Sequence, residues 1–394
     1  MNQRRENIQR LWAVVGGLGI MTVLGGSLLL LLGFVLTDPD AQALRGMAWG
    51  VGGILIFLGG GLIWSGLTGW QQTPSPRIYG GWPLVAMGAL TLLIFTGGLI
   101  LPTRAYGTPL FAWLLAAAVV SPALLWLAAV GWAAGHQATV TLRQMFIAIA
   151  GSIASIALAF VVQVLGLLGS SFFVAIVAAA FPGGMAEVER IGRMFQQWAV
   201  APPRMEEVLP VLMSPVVLSV LILVVAVIAP LIEELGKVLI ITVMGQVTRP
   251  SLARAFVWGV ACGLGFAMVE GVTNSLGGIT DISGLYASAG SRFMATGMHA
   301  LTSGLVGLGL GLAWHRRWWA LPILYLVAVI FHGLWNLALV IAIAGGASIM
   351  TGTPVGLLGV LLGGSIITAL ILLTPVGLIG IPLALRRHAG QMAD

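Results

Sequence analysis

Six ionisable residues sit inside long apolar runs in the second half of the chain: Glu233, Glu234, Lys237, Glu270, His299 and His332. On membrane-insertion scales a charged acid or base at a helix centre costs about 2.5–3.5 kcal/mol, so such side chains face a protein interior and serve a function. Carboxylates and imidazoles are the working groups of hydrolysis. A carboxylate takes a proton from water, and imidazole or amide donors stabilise the oxyanion that forms on the attacked carbonyl. The same atoms suit zinc, because two His and one Glu make a catalytic ligand set to which another Glu adds a base. The soluble zinc-protease spacing H-E-x-x-H does not occur in the sequence. Both mechanisms stay open on residue type alone.

Spacing says how these groups are delivered. Lys237 is i+4 from Glu233 and i+3 from Glu234, so either carboxylate can pair with it on one helix face. One ammonium cannot neutralise Glu233, Glu234 and Glu270 together. At least two of them therefore carry a proton, share one, meet an imidazole or bind a metal. Gly259, Gly263, Phe266 and Glu270 form one helical stripe, where the glycines bring a second helix close and Phe266 packs beside Glu270, with Asn274 one turn on. Asn336 follows His332 by one turn, placed to orient the imidazole or to donate to a developing oxyanion.

These residues need spans to carry them, and the composition supplies them. The 394 residues are 59% hydrophobic and 8% charged, which excludes an ordinary soluble enzyme and a disordered chain. Seventeen arginines and one lysine exceed the acids by six, but they are scattered through short connections, so nucleic acid is not the partner expected. The single cysteine, Cys262, supports no disulfide framework or thiolate cluster. Apolar runs long enough to cross a bilayer lie at about 11–36, 46–69, 80–101, 109–134, 144–167, 209–244, 252–276, 292–313, 318–345 and 355–385. The expected fold is thus all-α, a polytopic transmembrane helical bundle of about ten spans. The arginine bias puts the N- and C-termini in the cytoplasm, provided 144–182 is crossed once. Between 184 and 200, Val188, Ile191, Phe195 and Trp198 recur opposite Glu189, Arg190 and Arg193, the pattern of an amphipathic helix lying at the interface.

The order of motifs, Glu233-Glu234-x-x-Lys237, Phe266-x-x-x-Glu270, His299 followed by small residues, and His332-x-x-Trp335-Asn336, resembles the PrsW family of bacterial intramembrane proteases. It is distantly similar to the CAAX-processing and bacteriocin-immunity membrane proteases. The resemblance covers about 110 residues, from Pro230 to near Val340. It implies an endopeptidase of the bacterial inner membrane that cuts membrane-anchored proteins, in some members an anti-sigma factor. By position it makes Glu233, Glu234, Glu270, His299 and His332 the catalytic residues, with Lys237, Asn336 and Phe266 in support. Members of that family are described both as metalloproteases and as glutamic enzymes, so a zinc ion on His299, His332 and Glu270 is one of two options.

Residues 1–208 then form an accessory region ending in the amphipathic segment, 209–345 the catalytic bundle, and 346–394 the last span and a basic tail. The rival class is a proton-coupled transporter or channel, since Glu and His chains also relay protons. Its expected internal repeats are not visible, and ionisable groups occupy the spans of one half only. A third reading is a non-enzymatic regulator whose ion pairs only set helix packing.

Overall fold

The computed structural model describes residues 2–36, 41–77, 109–135, 138–201, 205–276, 282–350 and 355–391, with isolated positions between them. These form helices α1 (Asn2–Val35), α2 (Gln42–Trp70), α3 (Pro109–Ala134), α4 (Leu142–Ala179), α5 (Gly184–Val200), α6 (Met205–Leu212), α7 (Pro215–Ile222), α8 (Ala229–Val247), α9 (Leu252–Leu276), α10 (Ile282–Trp314), α11 (Ala320–Met350) and α12 (Val355–Gln391). A π-helical segment, Leu223–Ile228, joins α7 to α8. No strand occurs among the described residues, and eight of their segments are long and apolar enough to cross a membrane. The protein is an all-α, multi-pass helical bundle. The expected span at 80–101 lies outside the described residues, and 142–179 is one continuous helix. The amphipathic segment is α5, with Ile191 buried and Phe195 exposed. On its polar side Arg190 donates to Glu187 at 2.6 Å, and that guanidinium holds the carboxyl down to about 2.

The chain divides into two compact units that interleave in sequence. Unit one comprises Met1–Ser155, Lys237–Tyr325 and Thr374–Asp394. Its centre is α9, buried along nearly all its length from Phe256 and Trp258 through Cys262 to Met268. Such a helix needs neighbours whose backbones approach closely, and small residues permit it. A Cβ on Gly259 or Gly263 would collide with the carbonyl oxygens of Ser303 and His299 on α10. Buried hydroxyls add direction: Ser152 on α4 donates to the Cys262 carbonyl at 2.6 Å. The α1–α2 pair uses the same device, with Gly19 against Gly59 and Gly26 against Gly52 in antiparallel register.

Unit two comprises Ile156–Gly236 and Leu326–Leu373. Here the irregular element matters most. Pro230 has no N–H, so the carbonyl it would normally serve needs another donor. In the π register each N–H reaches the residue five back, as Ala229 does to Val224, and the next acceptor, Val225, faces the N–H that Pro230 lacks. Asn336 fills the gap, its Nδ2 donating to the Val225 carbonyl at 2.9 Å. Gly333, one turn earlier on α11, lets that helix lie against the carbonyl of Ala226, where any Cβ would collide.

Candidate active site

Helix α8 carries three of the expected residues within one turn and a half. Glu233 and Glu234 belong to unit two, and Lys237 to unit one. Each unit builds its own cluster around them.

In unit two, Glu234 is fully buried and its Oε1 lies 2.8 Å from Nδ1 of His332, itself 2% exposed. A carboxylate at that distance fixes the ring proton on Nδ1, so Nε2 carries the lone pair. That nitrogen lies 3.8 Å from Oε2 of Glu233. The other oxygen of Glu233 accepts a hydrogen bond from Nε2 of Gln163 on α4 at 2.7 Å. The irregular turn explains the placement, because it lies immediately before the two glutamates and is where α11 comes close enough for His332 to reach Glu234. Asn336 stabilises this turn through the Val225 carbonyl.

In unit one, the Lys237 ammonium meets Nδ1 of His299 at 2.8 Å. An ammonium can only donate, so Nδ1 accepts and the ring proton sits on Nε2, which donates to Oε2 of Glu270 at 2.6 Å. Phe266 closes the cluster from α9. Its ring lies 4.3 Å from the Lys237 ammonium and 5.6 Å from the His299 ring. Glu270 also accepts from Asn274 at 3.0 Å and lies 3.8 Å from Arg292. The backbone contact at Gly263 sets how near His299 stands to α9.

Seven of the eight residues singled out by sequence fall into two clusters, Glu233, Glu234 and His332 in one and Lys237, Phe266, Glu270 and His299 in the other, whereas the Asn336 amide donates to the Val225 carbonyl and not to the imidazole expected for it. Two partners have no counterpart in the sequence reading. Gln163 is an uncharged residue in the apolar run of α4, and its only signal is being a polar group at that depth. Arg292 stands at the start of a predicted span, where arginine ordinarily marks an end.

The two imidazoles share one pattern. A carboxylate takes the N–H of one ring nitrogen, Glu234 for His332 and Glu270 for His299, and the other nitrogen presents its lone pair. This is how metal-binding histidines are ordinarily held, since the carboxylate fixes tautomer and ring orientation and raises basicity. At His299 a cation, Lys237, already stands on the lone pair. In unit two, Glu233 and His332 offer a carboxylate oxygen and an imidazole nitrogen, atoms that suit a divalent metal, whereas both ring nitrogens of His299 are engaged, by Lys237 and Glu270.

Buried carboxylate–imidazole pairs in a multi-pass helical bundle are groups that intramembrane hydrolysis uses. A family model described as PrsW family intramembrane metalloprotease matches residues 110–370, more than half of the chain. The protein belongs to the PrsW family and is an intramembrane protease. The matched region includes Gln163 and every residue of both clusters, while α1 and α2 lie ahead of it. No curated protein and no solved structure matches the chain.

Proposed function

We propose that the protein is an endopeptidase of the bacterial inner membrane whose substrates are membrane-anchored proteins, among them anti-sigma-like regulators, and that Glu233 and His332, 3.8 Å apart in unit two, hold its metal. Both belong to a carboxylate–imidazole group of the kind that can hold a metal ion. The observation that carries the reading is the repeated carboxylate–imidazole arrangement, with Glu234 behind His332 and Glu270 behind His299. Glu270, a ligand candidate by sequence, faces His299 and Asn274 in unit one.

A metal held by Glu233 and His332 would supply Lewis acidity and make water a better nucleophile near neutral pH. Everything else falls to the chain. Glu234 and Glu270 hold the two imidazoles in the tautomers just described. Gln163 aims Glu233. Lys237 supplies positive charge at His299 and, with Phe266 over its Nζ, keeps that cation within the cluster. Of the two supporting carboxylates, the general base has to exchange protons with water and then with the leaving amine. Glu270, 32% exposed, has that access, and Glu234, at 0%, does not. Glu270 is assigned as the base, with the Arg292 guanidinium 3.8 Å away.

The test compares new protein N-termini in membranes of cells expressing the intact chain or Glu270→Gln at equal levels, together with the metal content of both purified proteins. A defined set of membrane-anchored proteins cut only by the intact chain, with about one metal per chain retained by both forms, is the expected result. Identical N-terminal profiles would overturn the proteolytic assignment of this site. Metal-free protein that still cuts would overturn the metal.

A further inference from the structure

Away from both clusters, unit one contains an apolar cavity of about 230 Å³ between α1, α2, α4 and α8, with Val15, Leu18, Leu58, Ile147, Ala154 and Ile240 in its wall. Its single hydroxyl, Thr22, is already spent on the Leu18 carbonyl at 2.7 Å, so the cavity offers no hydrogen bond to a polar guest. Cavities of this kind stay dry and take apolar ligands. Leu18 and Ala154 are exposed, which leaves the space open at its side. In a bilayer the apolar material at hand is an acyl chain.

One end of the cavity is charged. The walls end at Val15 on α1, Leu62 on α2 and Ile147 on α4, and one turn further in the same direction lie Trp12, Gly66 and Arg143. The Arg143 guanidinium stacks 4.8 Å above the Trp12 ring, and its Nη2 donates to the Thr68 hydroxyl at 3.1 Å and the Thr73 carbonyl at 2.8 Å. Among the described residues no carboxylate pairs with Arg143, and its buried Nε–H has no acceptor. A cation held by neutral groups, with a donor to spare, calls for an anion. By arginine bias this end faces the cytoplasm, where the leaflet carries anionic lipid.

We propose that this cavity is a phospholipid site: one acyl chain fills it and the phosphate of an anionic headgroup accepts from Arg143 beside Trp12. The guest also touches the helix that bears the catalytic residues, since Ile240 is one turn beyond Lys237. The inference needs neither the metal nor the protease assignment, because its readout is lipid binding.

The test uses the purified full chain in detergent with dioleoyl phosphatidylglycerol or dioleoyl phosphatidylcholine added. Phosphatidylglycerol is expected to raise Tm several degrees more than phosphatidylcholine. Arg143→Gln should lose that difference while keeping the response to phosphatidylcholine. Ala154→Phe and Ala150→Leu, which fill the cavity, should blunt both responses. Native mass spectrometry of the intact chain after detergent exchange with an equimolar mixture gives a readout without variants: phosphatidylglycerol should be retained several-fold over phosphatidylcholine. Equal Tm shifts and equal retention of the two lipids, meaning bulk solvation only, would overturn the site. So would an undiminished phosphatidylglycerol response in both filled variants.

Discussion

The two units reach the same chemical device, a buried carboxylate behind an imidazole, by opposite backbone routes. Unit one keeps α9 and α10 regular and shortens the distance between them: glycines remove the side chains, and Glu270 meets His299 across a backbone contact. Unit two also uses a glycine, Gly333 against the Ala226 carbonyl, but deforms one of the helices, so that a π turn ahead of Pro230 brings Glu233 and Glu234 to His332. Close regular packing has nowhere to relax, whereas a π turn is already a departure from the α ladder and sits where function is often found. The difference assigns rigidity to the Glu270–His299 pair and adjustability to the Glu233–Glu234 side.

The strongest consequence concerns the two supporting glutamates. With Glu270 as base, Glu270→Gln should lower kcat by about 10²–10⁴ while leaving Tm close to that of the intact chain. Glu234→Gln keeps a hydrogen-bond acceptor for His332 and should cost about tenfold, through a looser imidazole. Cleavage of a membrane-anchored reporter measures both. A larger loss for Glu234→Gln would exchange the roles of the two units.

Next come the glycines that allow each close approach. Gly263→Ala drives a Cβ into the His299 carbonyl between two straight helices and should cost about 3 kcal/mol. Gly333→Ala meets the Ala226 carbonyl on the π turn, which can shift, so about 1 kcal/mol is expected. Thermal unfolding of the two variants in the same detergent orders them. The reverse order would show that unit two is the stiffer one.

Much of this was legible beforehand, for a physical reason. Ionisable residues in apolar runs are costly enough to announce themselves, so Glu233, Glu234, Lys237, Glu270, His299 and His332 stand out from sequence. The stripe through Gly259 and Gly263 likewise predicts the close contact with α10. What stayed hidden depends on partners from distant segments. Lys237 has two carboxylates within reach on its own helix, and it also meets His299 and Phe266, from helices further along the chain. Asn336 shares a helix face with His332, but its amide serves a carbonyl that only the π register leaves short of a donor. Gln163 carries no charge and so no penalty large enough to flag it.

Gln163 therefore gives the third expectation. Gln163→Leu removes the donor to Glu233 and should reduce metal retention or kcat about 10- to 100-fold, the usual scale for a group that orients a ligand. Gln163→Asn, one methylene shorter, should fall between. Metal content measured beside reporter cleavage separates a lost ligand geometry from a general loss of folding. An inert Gln163→Leu would mean that the α4 contact only packs.

The smallest effect is also the most specific to unit two. Asn336→Ala should cost about 1 kcal/mol, the net worth of one hydrogen bond, because the Val225 carbonyl loses its side-chain donor while Pro230 offers none. Pro230→Ala restores a backbone N–H at the position from which the π register would serve that carbonyl. In the Pro230→Ala background, Asn336→Ala should then cost close to nothing. The double-mutant cycle, read by thermal unfolding, isolates this coupling from any other change at either residue. Cleavage by Pro230→Ala carries the further information. If the turn places Glu233 and Glu234, restoring the α ladder rotates both carboxylates relative to His332, and kcat should fall although stability rises. An active and more stable Pro230→Ala would show that the α register serves the glutamates equally well, and the contrast between the two units would rest on packing alone.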